Sequence, residues 1–358
     1  MEPLKIEKRK DQHIDIILHK DVSHGKKTTG LENIKIEGFE EIELDYSTLP
    51  EISLNSVDVS TDFLGKKFSA PLIVSGMVGG IERATGINKR IASVVQKIGI
   101  GMGVGSQRPM LKNANAKDTY FVRDVAPDIF LAGNIGAAQL KEYSLEEIEK
   151  MLENIQADAL AIHINAAQEA VQVEGDTDFT GCLDAIDVVS RNLSKPVYVK
   201  EVGHGISYEV AKMLDKTNIR AIDVQGVGGT SWTAVESLRG NSEIGKTFWN
   251  FGIPTAVSVY ACRKAFKGKI IASGGIRTGL DIVKSIVLGA DLGGLASPII
   301  KADNAGGEQE IEKALNKIIK EIKIACYLLG CKNIKELKKK KPVITGKTKE
   351  WIEQIVIV

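Results

Sequence analysis

The chain has almost no net charge to offer a polyanion. Its 358 residues carry 47 Lys plus Arg against 46 Asp plus Glu, a formal net of +1. That balance argues against nucleic acid as a partner drawn in by a general positive field, so any anionic ligand must be held by placed residues. Cysteine is scarce too. Cys182, Cys262, Cys326 and Cys331 form no Cys-x-x-Cys pair and have no histidine at zinc-ligand spacing, which points to reduced thiols and a cytoplasmic location. No stretch approaches the roughly 18–20 uncharged apolar residues that span a bilayer. Met1–Lys10 is too charged for a signal peptide. A soluble protein with no membrane partner is expected.

What the chain does have is a large apolar fraction, 43%, enough to bury a full core. From Ala70 onward, short apolar runs alternate with helical patterns, the signature of β/α units. The candidate strands are Pro71–Ser75, Ile98–Gly103, Ile129–Ala132, Ala159–Ile164, Val197–Glu201, Ala221–Val224, Ile270–Ser273 and Leu292–Ala296. Helix starts are readable between them: Ser144 with Glu147 as a capping box, Ser207 before an apolar-periodic stretch, and Thr278 with Asp281 capping a helix through Leu288. Eight such units predict a closed (β/α)8 TIM barrel, with an open doubly wound sheet as the competing topology. The expected organisation is an N-terminal arm (1–69), a barrel (70–330) and a tail (331–358). The stretch between Glu236 and Pro254 reads as a long loop after strand six, and Lys338–Lys341 as a solvated helix end.

Barrel chemistry sits at the C-terminal ends of the strands, and there this chain repeatedly places glycine beside polar residues. Examples are Ser75-Gly76-Met77-Val78-Gly79-Gly80, Gly103-Val104-Gly105-Ser106-Gln107-Arg108, Gly133-Asn134-Ile135-Gly136 and Gly226-Val227-Gly228-Gly229-Thr230. Any one of these could be an ordinary turn; the whole set asks for a ligand. The strongest element is Gly274-Gly275-Ile276-Arg277-Thr278-Gly279, after strand seven. Its glycines let backbone N–H groups approach a phosphate, the following helix adds its N-terminal partial charge, and Arg277 adds a charged donor. Gly294-Leu295-Ala296-Ser297 holds the corresponding place after strand eight. Lys200 ends an apolar strand facing the mouth, where it can stabilise negative charge on a flavin ring or pair with a carboxylate such as Glu201.

Taken together, several segments resemble the type 2 isopentenyl-diphosphate isomerases, from about residue 8 to about residue 302. They are Arg9-Lys10-Asp11-Gln12-His13-Ile14, Gly105-Ser106-Gln107-Arg108, His163-Ile164-Asn165-Ala166-Ala167-Gln168-Glu169, Gln172-Val173-Glu174-Gly175-Asp176 and Gly228-Gly229-Thr230-Ser231-Trp232 with Glu236. The resemblance implies an FMN enzyme that interconverts isopentenyl and dimethylallyl diphosphate with reduced flavin and Mg2+, NADPH or NADH supplying electrons without net redox change. It also implies a homo-oligomer, tetramer or octamer.

Carried over residue by residue, the resemblance gives Arg9, Lys10, His13, Ser106, Gln107, Arg108 and His163 to the substrate diphosphate. Trp232 would pack on the hydrocarbon tail. Glu169 would bind Mg2+, a hard donor for a hard cation, while Gln168 and Glu236 are the candidates for proton transfer. FMN would be held by Ser75, Gly76, Met77, Val78, Ser106, Asn134, Lys200 and Thr230, with its phosphate at Gly274, Gly275, Arg277, Leu295 and Ala296. Two departures stand out: Val78 replaces a usual threonine, and Ala166-Ala167 replaces a usual Pro-Leu before the Gln-Glu pair.

Read singly, Arg9, Lys10 and His13 would be surface residues, His163 a core histidine and Glu236 a helix-surface carboxylate; only their joint occurrence favours function. A 2-hydroxyacid oxidase or dehydrogenase is the competing enzyme. It needs a histidine base after a late strand, and Gln225-Gly226-Val227-Gly228 has none. An inosinate-type dehydrogenase needs a cysteine nucleophile at a glycine-rich strand end, which neither Cys182 nor Cys262 occupies. A barrel that merely holds flavin would have no use for Gln168, Glu169 and Glu236 beside a cationic arm.

Overall fold

Eight short segments are buried on both faces, and buried parallel strands need helices on their outer side. The computed structural model describes residues 3–25 and 36–355. Its barrel strands are β1 (Leu72–Val74), β2 (Gly101–Gly103), β3 (Phe130–Gly136), β4 (Ala159–His163), β5 (Val197–Lys200), β6 (Ala221–Asp223), β7 (Lys269–Ser273) and β8 (Leu292–Leu295). All pair in parallel and in sequence order, and β8 pairs back onto β1, so the sheet closes. The open-sheet alternative is set aside.

Seven of the eight predicted strands lie within two residues of the observed ones at the N-terminal end. The exception is Ile98–Gly103. Ile98 ends the helix Glu82–Ile98, Gly99 caps it in the left-handed region (φ 81°), and β2 starts only at Gly101. At its far end β3 runs on to Gly136, so Asn134 lies in the sheet itself. The predicted caps are present. Ser144 and Glu147 form a reciprocal capping box, as do Thr278 and Asp281, and the Ser207 hydroxyl accepts from Val210 N.

Two expectations are corrected. The stretch after β6 is mostly helical, with helices Trp232–Gly240 and Glu243–Thr247. Ser231 caps the first and donates to Trp249 O at 2.7 Å, while Thr233 donates to Phe248 O at 2.9 Å. Ala234, Val235 and Trp249 make a small separate core with Val22 of the arm. The lysine run is not all solvated: Lys338 Nζ lies 2.5 Å from Asp291, which also binds Lys269 at 3.0 Å. Beyond it, strand Pro342–Ile344 pairs antiparallel with arm strand Ile42–Leu44.

The arm begins with the helix Pro3–His19. Lys10, His13, Ile14 and Ile17 recur at i, i+3, i+4 and i+7, and so share the face that meets the barrel mouth. Arg83 fixes the outer side through Asp15 at 2.8 Å and Asp11 at 3.6 Å. Among the described residues, no helix is long and apolar enough to cross a membrane.

Candidate active site at the barrel mouth

The strand ends enclose a cavity of about 220 Å3, roofed on one side by the arm helix. Of the residues predicted from sequence, Arg9, Lys10, His13, Ser75, Gly76, Met77, Val78, Ser106, Arg108, Asn134, His163, Gln168, Glu169, Lys200, Thr230, Trp232, Gly274, Gly275, Arg277, Leu295 and Ala296 all line it. Two do not. Gln107 is fully buried, its Oε1 accepting from Asn134 N at 2.9 Å and its Nε2 reaching toward Met151 O at 3.4 Å. Its amide is spent on holding β3, so the side chain faces the interior and not the cavity. Glu236 sits one layer behind the wall, reached through Gln168 and His13.

On one side of the cavity, the loops after β6 and β7 meet glycine to glycine. Gly274 and Gly275 adopt φ of 101° and 76°, a region that suits glycine. A Cβ on Gly275 would come within 2.7 Å of the Gly228 carbonyl carbon, so no side chain fits. Backbone amides therefore form the floor, flanked by Arg277 and by two helix starts, Gly279–Leu288 and the Pro-containing start at Ser297. The Ser75 hydroxyl nearby is buried without a hydrogen-bond partner.

Lys200 is buried at the end of β5. Burial pushes its amine down, while neighbouring Asp223 and Glu201 pull it back up. The Glu201 carboxylate is taken by the backbone N–H groups of Val202, Gly203 and His204 at 2.5–2.6 Å, so Lys200 keeps its place at the mouth rather than closing on it.

Opposite the glycine floor lies a cationic wall. Lys10 Nζ donates to Gly79 O at 2.6 Å, Ser106 O at 2.9 Å and the Tyr120 hydroxyl at 3.2 Å. All three ammonium hydrogens thus have protein acceptors, and the helix is pinned to the loops after β1 and β2. Burial, with Arg9 beside it, brings the Lys10 amine down to about 7. Arg9 Nε and Arg108 Nε are buried and unpartnered, two unspent donors facing the same space. Asn134 Nδ2 donates to Val104 O at 3.0 Å, which turns Oδ1 toward His163 Nδ1 at 2.9 Å. This arrangement assigns the ring proton to Nδ1 and leaves Nε2 as an acceptor. Burial, then Lys200, Lys10 and Arg108, push His163 down to about 3, so it is neutral.

Gln168 and Glu169 lie on a short helix, Ala166–Val171. Gln168 Nε2 donates to Glu236 Oε1 at 2.9 Å. His13 Nε2 lies 3.0 Å from the same oxygen, close but not aligned as a hydrogen bond, and its ring meets Trp232 edge to face at 5.1 Å. Burial opposes ionisation of Glu236, but contacts from His13, Gln168 and Arg239 outweigh it and hold the carboxyl at about 2.

A family model described as FMN-dependent dehydrogenase matches residues 128–343. Among curated proteins, the isopentenyl-diphosphate delta-isomerase of Thermococcus kodakarensis is 46% identical over 329 residues, 88% of each chain. That of Halobacterium salinarum is 43% identical over 97% of this chain and 96% of the relative. The chain belongs to the isopentenyl-diphosphate delta-isomerase family. Solved flavin barrels share its fold: a mandelate oxidase variant with an FMN adduct (TM-score 0.64, 14% identity, 90% and 95% of the two chains) and a flavocytochrome b2 variant (0.66, 18%, 91% and 81%).

The FMN that this family implies fits the residues present. The amide floor with Arg277 suits its phosphate, the orphaned Ser75 hydroxyl awaits a partner, and Lys200 offers positive charge. For a metal the fit is thinner. Glu169 already accepts from Asn165 Nδ2 at 2.8 Å and Asp176 N at 2.8 Å, and the described residues contain no cluster of three or more His, Cys, Asp or Glu that could hold an ion. A Mg2+ here would lean on substrate oxygens and water for most of its ligands. Sequence reasoning missed Tyr120 and Arg239. Tyr120 packs against Gly79 and joins Lys10 to Ser106, yet nothing local to its sequence marks it.

Proposed function

We propose that the protein interconverts isopentenyl and dimethylallyl diphosphate. One observation carries this reading: a single cavity joins the amide floor and Lys200 to the Arg9–Lys10–Arg108 wall and to Gln168 backed by Glu236. When bound, reduced FMN supplies the acid–base and electrostatic chemistry of the proton shift. The chain's own residues do the rest. Arg9 and Arg108 direct free guanidinium donors at the diphosphate, with Lys10 adding charge from its carbonyl cage. Trp232, fixed edge-on to His13, packs on the C5 skeleton and excludes water. Gln168 lies closest to the alkene, its amide oriented by Glu236. With a carboxyl held near 2, Glu236 is ionised and acts as an acceptor, not as an acid.

Further parts of the reading are that Glu169 and the diphosphate share Mg2+, that NADPH or NADH reduces the flavin, and that segment 1–69 clamps substrate over the barrel. A cytoplasmic homo-oligomer, tetramer or octamer, completes it. The rival 2-hydroxyacid chemistry gains nothing from the mandelate oxidase likeness, which is one of fold alone, and the loop after β6 has no histidine base.

The deciding experiment is anaerobic incubation of isopentenyl diphosphate with the purified protein, FMN, Mg2+ and a reductant. Dimethylallyl diphosphate should accumulate to equilibrium. A reduced, flavin-loaded protein that leaves the substrate untouched rules the reading out.

A further inference from the structure

Gln168 and Glu236 meet through one carboxylate oxygen; the other oxygen is controlled from behind. Helix Trp232–Gly240 carries Glu236 and, three residues on, Arg239, so both project from one face. Arg239 Nε donates to Glu236 Oε2 at 2.7 Å, and Nη2 donates to Glu174 Oε2 at 2.7 Å. Glu174 Oε1 in turn lies 3.7 Å from Arg9 on the arm helix. The Arg239 side chain is mostly buried and does not line the cavity. One guanidinium therefore ties together three separate pieces of chain: the β6 loop helix, the loop after β4 and the arm.

We propose that Arg239 is a positioning residue: by holding Glu236 Oε2 it turns Oε1 toward Gln168 and His13, and by holding Glu174 it sets Arg9 over the cavity. His13 contributes most to keeping Glu236 ionised, and Gln168 and Arg239 add to it; with Arg239 gone, the buried carboxyl moves back up toward its protonated form. The new hydroxyl would then seek the Gln168 carbonyl oxygen, and the Gln168 amide would turn over. At present Gln168 gives Nε2 to Glu236 and takes Asn165 Nδ2 on Oε1 at 3.2 Å. Loss of Arg239 would exchange which atom Gln168 presents to the alkene. The groups facing Glu236 are Arg239 from its own helix, His13 from the arm and Gln168 from the helix after β4.

As a claim about catalysis, this rests on the isomerase reading; as a claim about geometry, it does not. Arg239→Met should keep its FMN, lose roughly tenfold or more in kcat, and gain an acid limb in the kcat–pH profile as Glu236 begins to titrate. Arg239→Lys should recover much of kcat and lose the limb. Glu174→Gln should raise KM for the diphosphate more than it lowers kcat. A kcat loss without a new acid limb, and without rescue by lysine, makes Arg239 a scaffold residue only and overturns the proposal. So does a crystal structure of Arg239→Met in which Glu236 still receives Gln168 Nε2. That structure decides the geometry even if the wild-type protein fails to isomerise anything.

Discussion

Lys10 is asked to be both a structural pin and a charge. Its ammonium spends three donors on Gly79, Ser106 and Tyr120, and burial leaves it titrating at about 7. His163, held neutral at about 3, stands nearby. A diphosphate placed among these groups raises both values, because it favours their charged forms. Above about pH 7 the free protein holds Lys10 mostly neutral, so binding must take up a proton, and affinity falls as pH rises. Titration calorimetry with inorganic pyrophosphate at pH 8, in buffers of different ionisation enthalpy, should show net proton uptake that Lys10→Met largely removes. A wild-type protein that takes up no more protons than Lys10→Met contradicts the assignment. At this scale the sequence was a partial guide. It pointed to Lys10 and His163 through motif, but whether a donor faces the cavity or the interior depends on packing. Gln107, one residue from Arg108, turns inward because the β3 backbone needs its amide.

The turn after β7 is the element with least tolerance. Gly275 has φ of 76°, and any Cβ there meets backbone of the Gly228 loop and Glu37 Cβ at 2.7–3.0 Å. Gly275→Ala should destabilise the fold by about 1–3 kcal/mol and, by parting the two glycine loops, strip FMN from the purified protein. Flavin content per folded chain, with a urea melt alongside, measures both; a fully loaded, equally stable variant refutes the account. The turn was readable because glycine pairs and capping boxes are local signals, as were the strands, whose burial on both faces makes short unbroken apolar runs. The helices after β6 escaped notice for the opposite reason. They are short, and their hydroxyls cap against Trp249 and Phe248, far along the chain.

Across the molecule, a segment that precedes the barrel fastens to the C-terminal segment that follows it. Ile42 lies opposite Ile344, and the Glu41 carboxylate accepts from Lys347 N at 3.0 Å and Thr348 N at 2.7 Å. Ile352 is buried under them. Ending the chain at Lys341 should lower Tm by about 5–10 °C while FMN affinity stays unchanged; calorimetry and flavin titration would show it. An unaltered Tm would mean the pairing contributes nothing. Sequence gave no hint of this contact, since its partners are some three hundred residues apart and both strands are too short to show a period.

The helix that carries the cations is also a wall of the chamber it serves. Whatever frees Lys10 from its two carbonyls and Tyr120 withdraws a cation and loosens that wall together. Grip and enclosure are thereby linked, because the contacts that bring a cation to the chamber are the ones that seat its wall.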